Sequence, residues 1–469
     1  MIPEFAIIGH PNEGKSSVLS TLAEDDSVRV SPTPGETTEC RTFPVVIDGR
    51  ELLRFTDTPG FQNPGRVLSE LRELSRHTPD PVTAFREKAA VDPELRDDRE
   101  LLAPLARGAG IIYVVDGSRP LRNVDRAEME ILRLSGKPRM AIINCKEKSE
   151  VHLDAWKNEF RKHFNSFRIF NAHRATYAER ILLLEALKSI DQDWQELLSQ
   201  IVSAFRHDWA ARNGRCSDII SEFLGESLSL QMSRRLGDGE DELQCREKLF
   251  TAYRDRLAQL EEKAHQQIRV LFKHNIFNYQ LPPHSLLRED IFSDRTWQLL
   301  GLTRKQVIIA GGLGGAALGA GVDVAALGHG LGMFTLFGTL AGGLGALFGG
   351  ENLLGKAQFL GLPLAGETVQ IGPAKSIDLL FILLNRTLLY YRHTINWAHG
   401  RRDYQTAENT ALTSQALQNF TAGWPARNIA LCQDFFKAAT VGKGQDESEA
   451  GQKFRQLLMA TLQEISESE

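Results

Sequence analysis

The clearest chemistry lies near the start, where Gly9-His-Pro-Asn-Glu-Gly-Lys-Ser16 fits the spacing G-x-x-x-x-G-K-[ST], with Gly9, Gly14, Lys15 and Ser16 at the fixed places. A loop of backbone N–H groups can wrap a polyphosphate only if glycines let the chain come close and take dihedrals closed to other residues. In that spacing Lys15 reaches the β- and γ-phosphates and Ser16 ligates Mg2+. Glu13, Gly14 and Ser17 complete the cradle, and the helix starting here adds the positive end of its dipole. The alternative, a chance match in a glycine-containing loop, is weakened by the strand-like run before it and the helical run after it.

Further on, Asp57-Thr-Pro-Gly60 ends an apolar run. Asp57 is placed there to hold the hydration shell of Mg2+, and the Gly60 N–H to touch a γ-phosphate. Alone this tetrapeptide is an ordinary turn; behind a strand and after a phosphate loop it is corroboration. Two more loops, Asn144-Cys-Lys-Glu147 and Asn171-Ala-His173, follow strand-like runs. Open α/β sheets bind ligands at the carboxyl ends of their strands.

The elements that must position these loops alternate. Phe5–Ile8 reads as a short buried strand and 16–23 as a helix. Segments 41–47 and 52–56 read as strands joined at Asp48-Gly49, a good hairpin turn. The run 110–116, Gly-Ile-Ile-Tyr-Val-Val-Asp, is continuously apolar, as suits a strand buried on both faces, and 138–143 and 167–170 follow the same logic. The alternation predicts an α/β domain with a mostly parallel sheet over 1–190.

In these motifs the chain resembles the translation-factor-related GTPases, and within them the Era/TrmE-like group. Gly9 to Ser16 matches that group's G-x-P-N-x-G-K-S, Thr37-Thr38 its switch I threonine pair, and Asp57 to Gly60 its D-x-x-G. The resemblance covers roughly the first 190 residues. It implies a P-loop GTPase that binds GTP and GDP and hydrolyses GTP, with Ser16, Thr38 and Asp57 around Mg2+ and Lys15, Thr38 and Gly60 at the γ-phosphate. The family's guanine motif N-K-x-D stands here as Asn144-Cys145-Lys146-Glu147, so the base carboxylate is Glu147, one methylene longer. Its S-A-K loop stands as Asn171-Ala172-His173, of which the Ala172 N–H carries over. A water-orienting glutamine often follows D-x-x-G; here it is Phe61, and other groups, such as the switch I backbone, must place the water. In cation-dependent members an asparagine at the place of Asn12 helps hold K+ beside the phosphates; the alternative is that Asn12 only stabilises the loop turn.

Between Gly60 and Gly110 lies a stretch longer than a switch II region needs, with one amphipathic helix over 67–75 and arginines at Arg66, Arg72, Arg76, Arg86, Arg96 and Arg99. It is either a solvated helical insertion or, hanging from Gly60, a sensor of nucleotide state.

The chain has 469 residues, 42% of them hydrophobic, which suits two or three domains with real cores. A formal net charge of −5 argues against a dominant nucleic-acid-binding role. The five cysteines are scattered without a CxxC pair, as expected of reduced thiols. No basic leader followed by a long apolar run opens the sequence, so a cytoplasmic location is expected.

After Asp191 the periodicity turns helical. Apolar residues at three- and four-residue intervals across 243–273 predict one long amphipathic helix, paired within the chain or, alternatively, in an intermolecular coiled coil. Leu281-Pro-Pro283 starts a linker. The stretch 307–350 holds only Asp323 and His329 as ionisable residues, with glycines four apart, for instance Gly311, Gly315 and Gly319. That spacing lets helix backbones touch, as in membrane helix pairs. Arms at 306–322 and 330–350 suit a membrane-contacting hairpin at the inner face of a membrane; the alternative is a soluble, buried helical hairpin. Thr368–Ile371 reads as a short strand, 377–398 as a strongly apolar helix, and 453–465 as a last amphipathic helix. The whole looks like a bacterial family in which an Era-like GTPase precedes a helical domain of unknown function.

The expected organisation is a G domain over 1–190, a helical domain over 191–300, a Gly-rich apolar hairpin over 301–356 and a helical C-terminal region over 357–469. The function expected is a regulatory GTPase with output through its helical half toward an unknown protein effector. The alternatives are a nucleotide-gated, membrane-associated scaffold with slow hydrolysis, and ribosome or RNA association, which the acidic balance disfavours.

Overall fold

Strand residues that alternate between two buried faces dictate the architecture. In β1 (Glu4–Ile8), Phe5 and Ile7 point to one side and Ala6 and Ile8 to the other; in β4 (Gly110–Asp116), Ile112 and Val114 oppose Ile111, Tyr113 and Val115, all fully buried. A strand apolar on both faces must be covered on both. The computed structural model describes residues 2–10, 13–23, 39–47, 49–145, 151–170, 177–237, 239–272, 287, 289–293, 296, 299–301, 368–396, 419–441 and 448–467.

The sheet is six-stranded, in the order β2 (Arg41–Ile47), β3 (Arg50–Asp57), β1, β4, β5 (Arg139–Asn144), β6 (Ser166–Phe170). Only β2 and β3 pair antiparallel; every other neighbour is parallel. The hairpin strand expected over 52–56 starts two residues earlier and runs one residue further, since Arg50 pairs with Ile47 and Asp57 with Arg41.

One face carries α2 (Pro64–Leu74), α3 (Pro81–Lys88), α4 (Arg96–Leu101), α5 (Ala103–Ala106), α6 (Asn123–Leu134) and α7 (Leu153–His163). The long stretch after Gly60 is thus a folded helical cap. Val67, Leu71, Val82, Phe85, Leu95 and Leu101 share a core with the sheet. The helix expected over 67–75 starts at Pro64, where a proline at the first helical position loses no hydrogen bond.

The other face carries α1 (Lys15–Ala23) and α8 (Tyr177–Leu187). Here the core does not stop. It continues into α9 (Gln195–Ser229), α10 (Glu242–Leu271), α11 (Asp378–Ile395), α12 (Ala426–Thr440) and α13 (Glu449–Glu467) as one cluster. Trp194 packs at the amino end of the central strands, its ring edge-on to Phe5 at 5.3 Å between centroids. Helix α10 matches the expected amphipathic run, and Leu249, Tyr253, Leu257, Leu260, Ala264 and Ile268 are its buried stripe. Thr368–Ile371 is a strand, β8, and pairs antiparallel with β7 (Met232–Arg235), which interrupts the expected unbroken helical pattern. The linker at 281–283 and the arms 306–322 and 330–350 lie outside the described residues. Among the described residues no helix is long and apolar enough to cross a membrane.

Candidate phosphate-binding site

The loop after β1 leaves the sheet between the carboxyl ends of β3 and β4, the two strands that flank β1. Two glycines shape it. A Cβ at Gly9 would run into the Val114 carbonyl of β4. Gly14 has φ 91°, a conformation open to glycine at little cost. Helix α1 starts at once, with the Val18 N–H donating to the Gly14 carbonyl at 2.9 Å. Lys15 is nearly buried, and its Nζ donates to the carbonyls of Gly9 at 3.0 Å and His10 at 3.2 Å, which holds the ammonium over the loop. The Ser16 hydroxyl donates to Asp57 Oδ2 at 3.4 Å. A hydroxyl and a carboxylate brought together in this way are the hard oxygen donors that suit Mg2+. Asp57 is held at the end of β3 opposite Ile7, and the neighbouring Thr58 hydroxyl donates to the Ile7 carbonyl at 2.8 Å.

The two variable loop positions that can be seen, 10 and 13, both turn toward α6. Glu13 is 3% exposed; its carboxylate accepts from Arg119 Nε at 2.6 Å and from the Asp116 N–H. Arg119 also grips Asp125 with two hydrogen bonds of 2.8 and 2.9 Å and lies over the Trp156 ring. Burial alone would raise the Asp125 pKa, but the hydrogen bonds from Arg119 and Arg122 outweigh it and hold the carboxyl below its usual range. On the other side, His10 Nδ1 lies 3.1 Å from Glu128 Oε1, while the Tyr113 hydroxyl donates to Glu128 Oε2 at 2.8 Å. The loop is therefore buttressed at two points, by Glu128 of α6 and by Arg119, which Asp125 of α6 holds in place. Glu13, expected in the nucleotide cradle, has its carboxylate engaged with Arg119, and its backbone carbonyl accepts from Asn144 Nδ2 at 3.1 Å.

That last bond joins the expected base-binding loop to the phosphate loop. Asn144 is fully buried at the end of β5, and the Cys145 N–H donates to the Phe170 carbonyl at 3.1 Å, so the loops after β5 and β6 start side by side. Beyond Gly60, Phe61 is 2% exposed and belongs to the core cluster that includes Val67 and Phe85. Gln62 Nε2 donates back to the Gly60 carbonyl at 3.3 Å, and the Asp98 carboxylate on α4 accepts from the Gln62 and Asn63 N–H groups.

The structure thus brings Gly14, Lys15, Ser16, Asp57, Gly60 and Asn144 to one end of the sheet. Asn12, Thr38, Glu147 and Ala172 lie outside the described residues, as does the side chain of Ser17. Sequence reading missed Glu128, Arg119, Asp125 and Asp98. The first three sit in an ordinary amphipathic helix and its approach, and Asp98 hides in the charged run Arg96-Asp-Asp-Arg99, so no residue pattern marks them.

Two families match the chain. Residues 4–145 match the family described as 50S ribosome-binding GTPase, and residues 157–463 match a domain of unknown function, DUF3482. Among curated proteins, the GTPase Der of Agathobacter rectalis is 36% identical over 73 residues, 16% of each chain. The GTPase Der of Listeria monocytogenes is 21% identical over 222 residues, 47% of this chain and 43% of that one. The chain therefore spans less than half the length of these relatives. Among solved structures, Era in complex with MgGDPNP and a segment of 16S ribosomal RNA is 17% identical, covering 58% of this chain and 89% of that one with a TM-score of 0.28.

Proposed function

The chain belongs to the DUF3482 family, preceded by a P-loop GTPase domain, and from that premise we propose that it is a GTP-binding regulatory switch that hydrolyses GTP to GDP and delivers its output through the helical half. One observation carries the reading: Lys15 over the loop, the Ser16–Asp57 pair and the Asn144 amide on the Glu13 carbonyl form one connected site at the carboxyl end of the sheet. Lys15 neutralises charge on the β- and γ-phosphates, the Gly60 N–H meets the γ-phosphate, and Thr38 closes the site from switch I. Ser16, Asp57 and Thr38 are the oxygen donors that would hold Mg2+, which supplies charge neutralisation across the phosphate oxygens when bound. Asn144, Glu147 and Ala172 serve the guanine, and Asn12 is the candidate contact for K+.

Support for an output through the helices comes from α8. It follows residues 171–176 directly, and its first residue, Tyr177, stacks on Trp209 of α9 at 3.8 Å. Arg180 of the same helix lies 6.0 Å from the Trp209 ring and donates to the Ile395 carbonyl of α11. A displacement of α8 therefore reaches α9 through the packed rings and α11 through the Arg180 hydrogen bond.

A second reading, a nucleotide-gated scaffold at the inner face of a membrane, is favoured by the glycine spacing of 306–350. Both readings share the nucleotide site and place the protein in the cytoplasm. Binding of GTP, GDP and ATP to the wild type, Lys15→Ala and Glu147→Ala tests the first. Lys15→Ala is expected to lose triphosphate affinity on the order of 100-fold, and Glu147→Ala to lose preference for guanine; equal competition by ATP in the wild type would sink the guanine assignment. Turnover that is equal in K+ and Na+ would remove the role of Asn12.

A further inference from the structure

Asp98 and Glu100 stand two residues apart on α4, and between them they hold both segments that leave the phosphate site. Asp98 is fully buried, and its two oxygens accept from the Gln62 N–H at 3.0 Å and the Asn63 N–H at 3.1 Å. Glu100 holds the other segment: its carboxylate accepts from the Cys40 N–H at 3.2 Å, and its carbonyl accepts from the Cys40 thiol at 3.2 Å. Cys40 stands just past Thr37-Thr38, at the start of β2, while Gln62 and Asn63 stand just past Gly60.

The arrangement is costly, which argues that it is used. A carboxylate taken wholly out of water loses its hydration, a cost offset only if its oxygens are well paired. Burial pushes the Asp98 pKa above its usual range despite the two N–H donors. Helix α4 is itself anchored. Leu101 and Leu102 are buried in the core, and Arg86 Nε donates to the Arg99 carbonyl at 3.3 Å. A rigid, anchored segment bonded to two others transmits displacement between them.

We propose that α4 is a coupling bar between the two switch segments, with Asp98 a positioning residue that fixes the backbone after Gly60 relative to the Cys40 exit of switch I. The two segments then answer the γ-phosphate as one unit, and the inserted cap is the part that makes them do so. This inference rests on the GTP-switch reading above.

The test uses the full chain as wild type, Asp98→Asn and Glu100→Ala. Asn keeps the shape of Asp98 but replaces one acceptor oxygen by a donor that cannot meet an N–H. Glu100→Ala removes the carboxylate that accepts from the Cys40 N–H, leaving the carbonyl that accepts from the thiol, and stands in if Asp98→Asn fails to fold. GDP affinity, single-turnover hydrolysis and peptide-resolved alkylation of Cys40 are measured, the last with GDP and with a non-hydrolysable GTP analogue. Cys40 alkylation in the wild type is expected to differ between the two nucleotides. Either variant is expected to erase that difference and slow turnover on the order of 10- to 100-fold, with GDP affinity within about twofold. A folded variant that keeps both turnover and the Cys40 difference overturns the coupling, as does one that loses GDP affinity in step with turnover. A wild type that binds neither GTP nor GDP fails the switch reading itself and takes this inference with it; normal wild-type behaviour beside unaffected variants fails the inference alone.

Discussion

At the scale of single residues, the phosphate loop shows the difference between what a motif fixes and what it leaves to the fold. Gly9, Gly14, Lys15 and Ser16 could be read from their spacing because the motif fixes the residue type at each of these places, with Ser or Thr at the last. The positions between them are free in the motif, yet here they carry His10 and Glu13, whose side chains turn to Glu128 and Arg119. Nothing in the sequence near position 13 announces a partner a hundred residues away. Glu13→Ala is expected to destabilise the protein by about 2–3 kcal/mol, less than the roughly 3–5 kcal/mol of a wholly buried pair because Arg119 keeps Asp125. Urea unfolding measures that loss, and nucleotide binding should weaken with it, since the loop loses a buttress. A stability unchanged from wild type would show the pair to be incidental.

At the scale of elements, apolar runs were legible and polar anchors were not. Helix α11 was recognisable from its run of leucines, but its energetics turn on its polar residues. Arg386 is 2% exposed and meets Glu261 of α10 through two bonds of 2.6 and 2.8 Å, while also donating to the carbonyls of Leu287 and Glu289. Arg386→Met is expected to cost about 3–5 kcal/mol by stranding Glu261, and Arg386→Met with Glu261→Met to recover most of it; a double-mutant unfolding cycle reads the difference. One turn further along α10, His265 stacks on Tyr390 at 3.8 Å, and burial pushes its pKa down to about 4. The unfolded chain protonates this histidine near pH 6.5 and the folded chain does not. Its stabilising effect is therefore complete above about pH 6.5 and declines as pH falls toward 4, by about 3 kcal/mol at most. Glu261 acts lower. Burial would raise its pKa, but Arg386 holds it below the usual carboxylate range, so that contribution is lost only in stronger acid. Unfolding midpoints of wild type and His265→Phe between pH 7.5 and 5 should diverge, the variant giving the flatter profile. Strand β7 shows the opposite limit of reading: Met232-Ser-Arg-Arg235 has no alternating apolar pattern, and it is a strand only because β8, far along the chain, supplies its partner.

At the scale of the whole molecule, the expected division near residue 190 does not divide the hydrophobic core. The face of the sheet that carries Phe5, Ile7, Ile112 and Val114 belongs to the same buried cluster as α9 through α13. Periodicity marked where strands give way to long helices; it could not tell that α8 is shared, with Tyr177 and Trp209 stacked across the boundary. Calorimetry of the full chain is expected to give one cooperative transition for sheet and helices together, and a fragment ending near residue 190 to bind a hydrophobic dye and unfold more readily. Two well-separated transitions would show that the boundary is energetic as well as topological.

The shared helix also bears on how the chain is made. The sheet and phosphate loop are made before the helices; α9, the next helix, covers part of the outer side of α8, but the rest is covered by α11 and α13, encoded far downstream. At roughly 5–20 residues per second, synthesis of the chain between α8 and α13 leaves that part bare for on the order of tens of seconds. During that interval the nascent chain has a complete phosphate loop and a partly uncovered apolar flank at once, which makes it a natural client for chaperones that hold such surfaces until those helices are made.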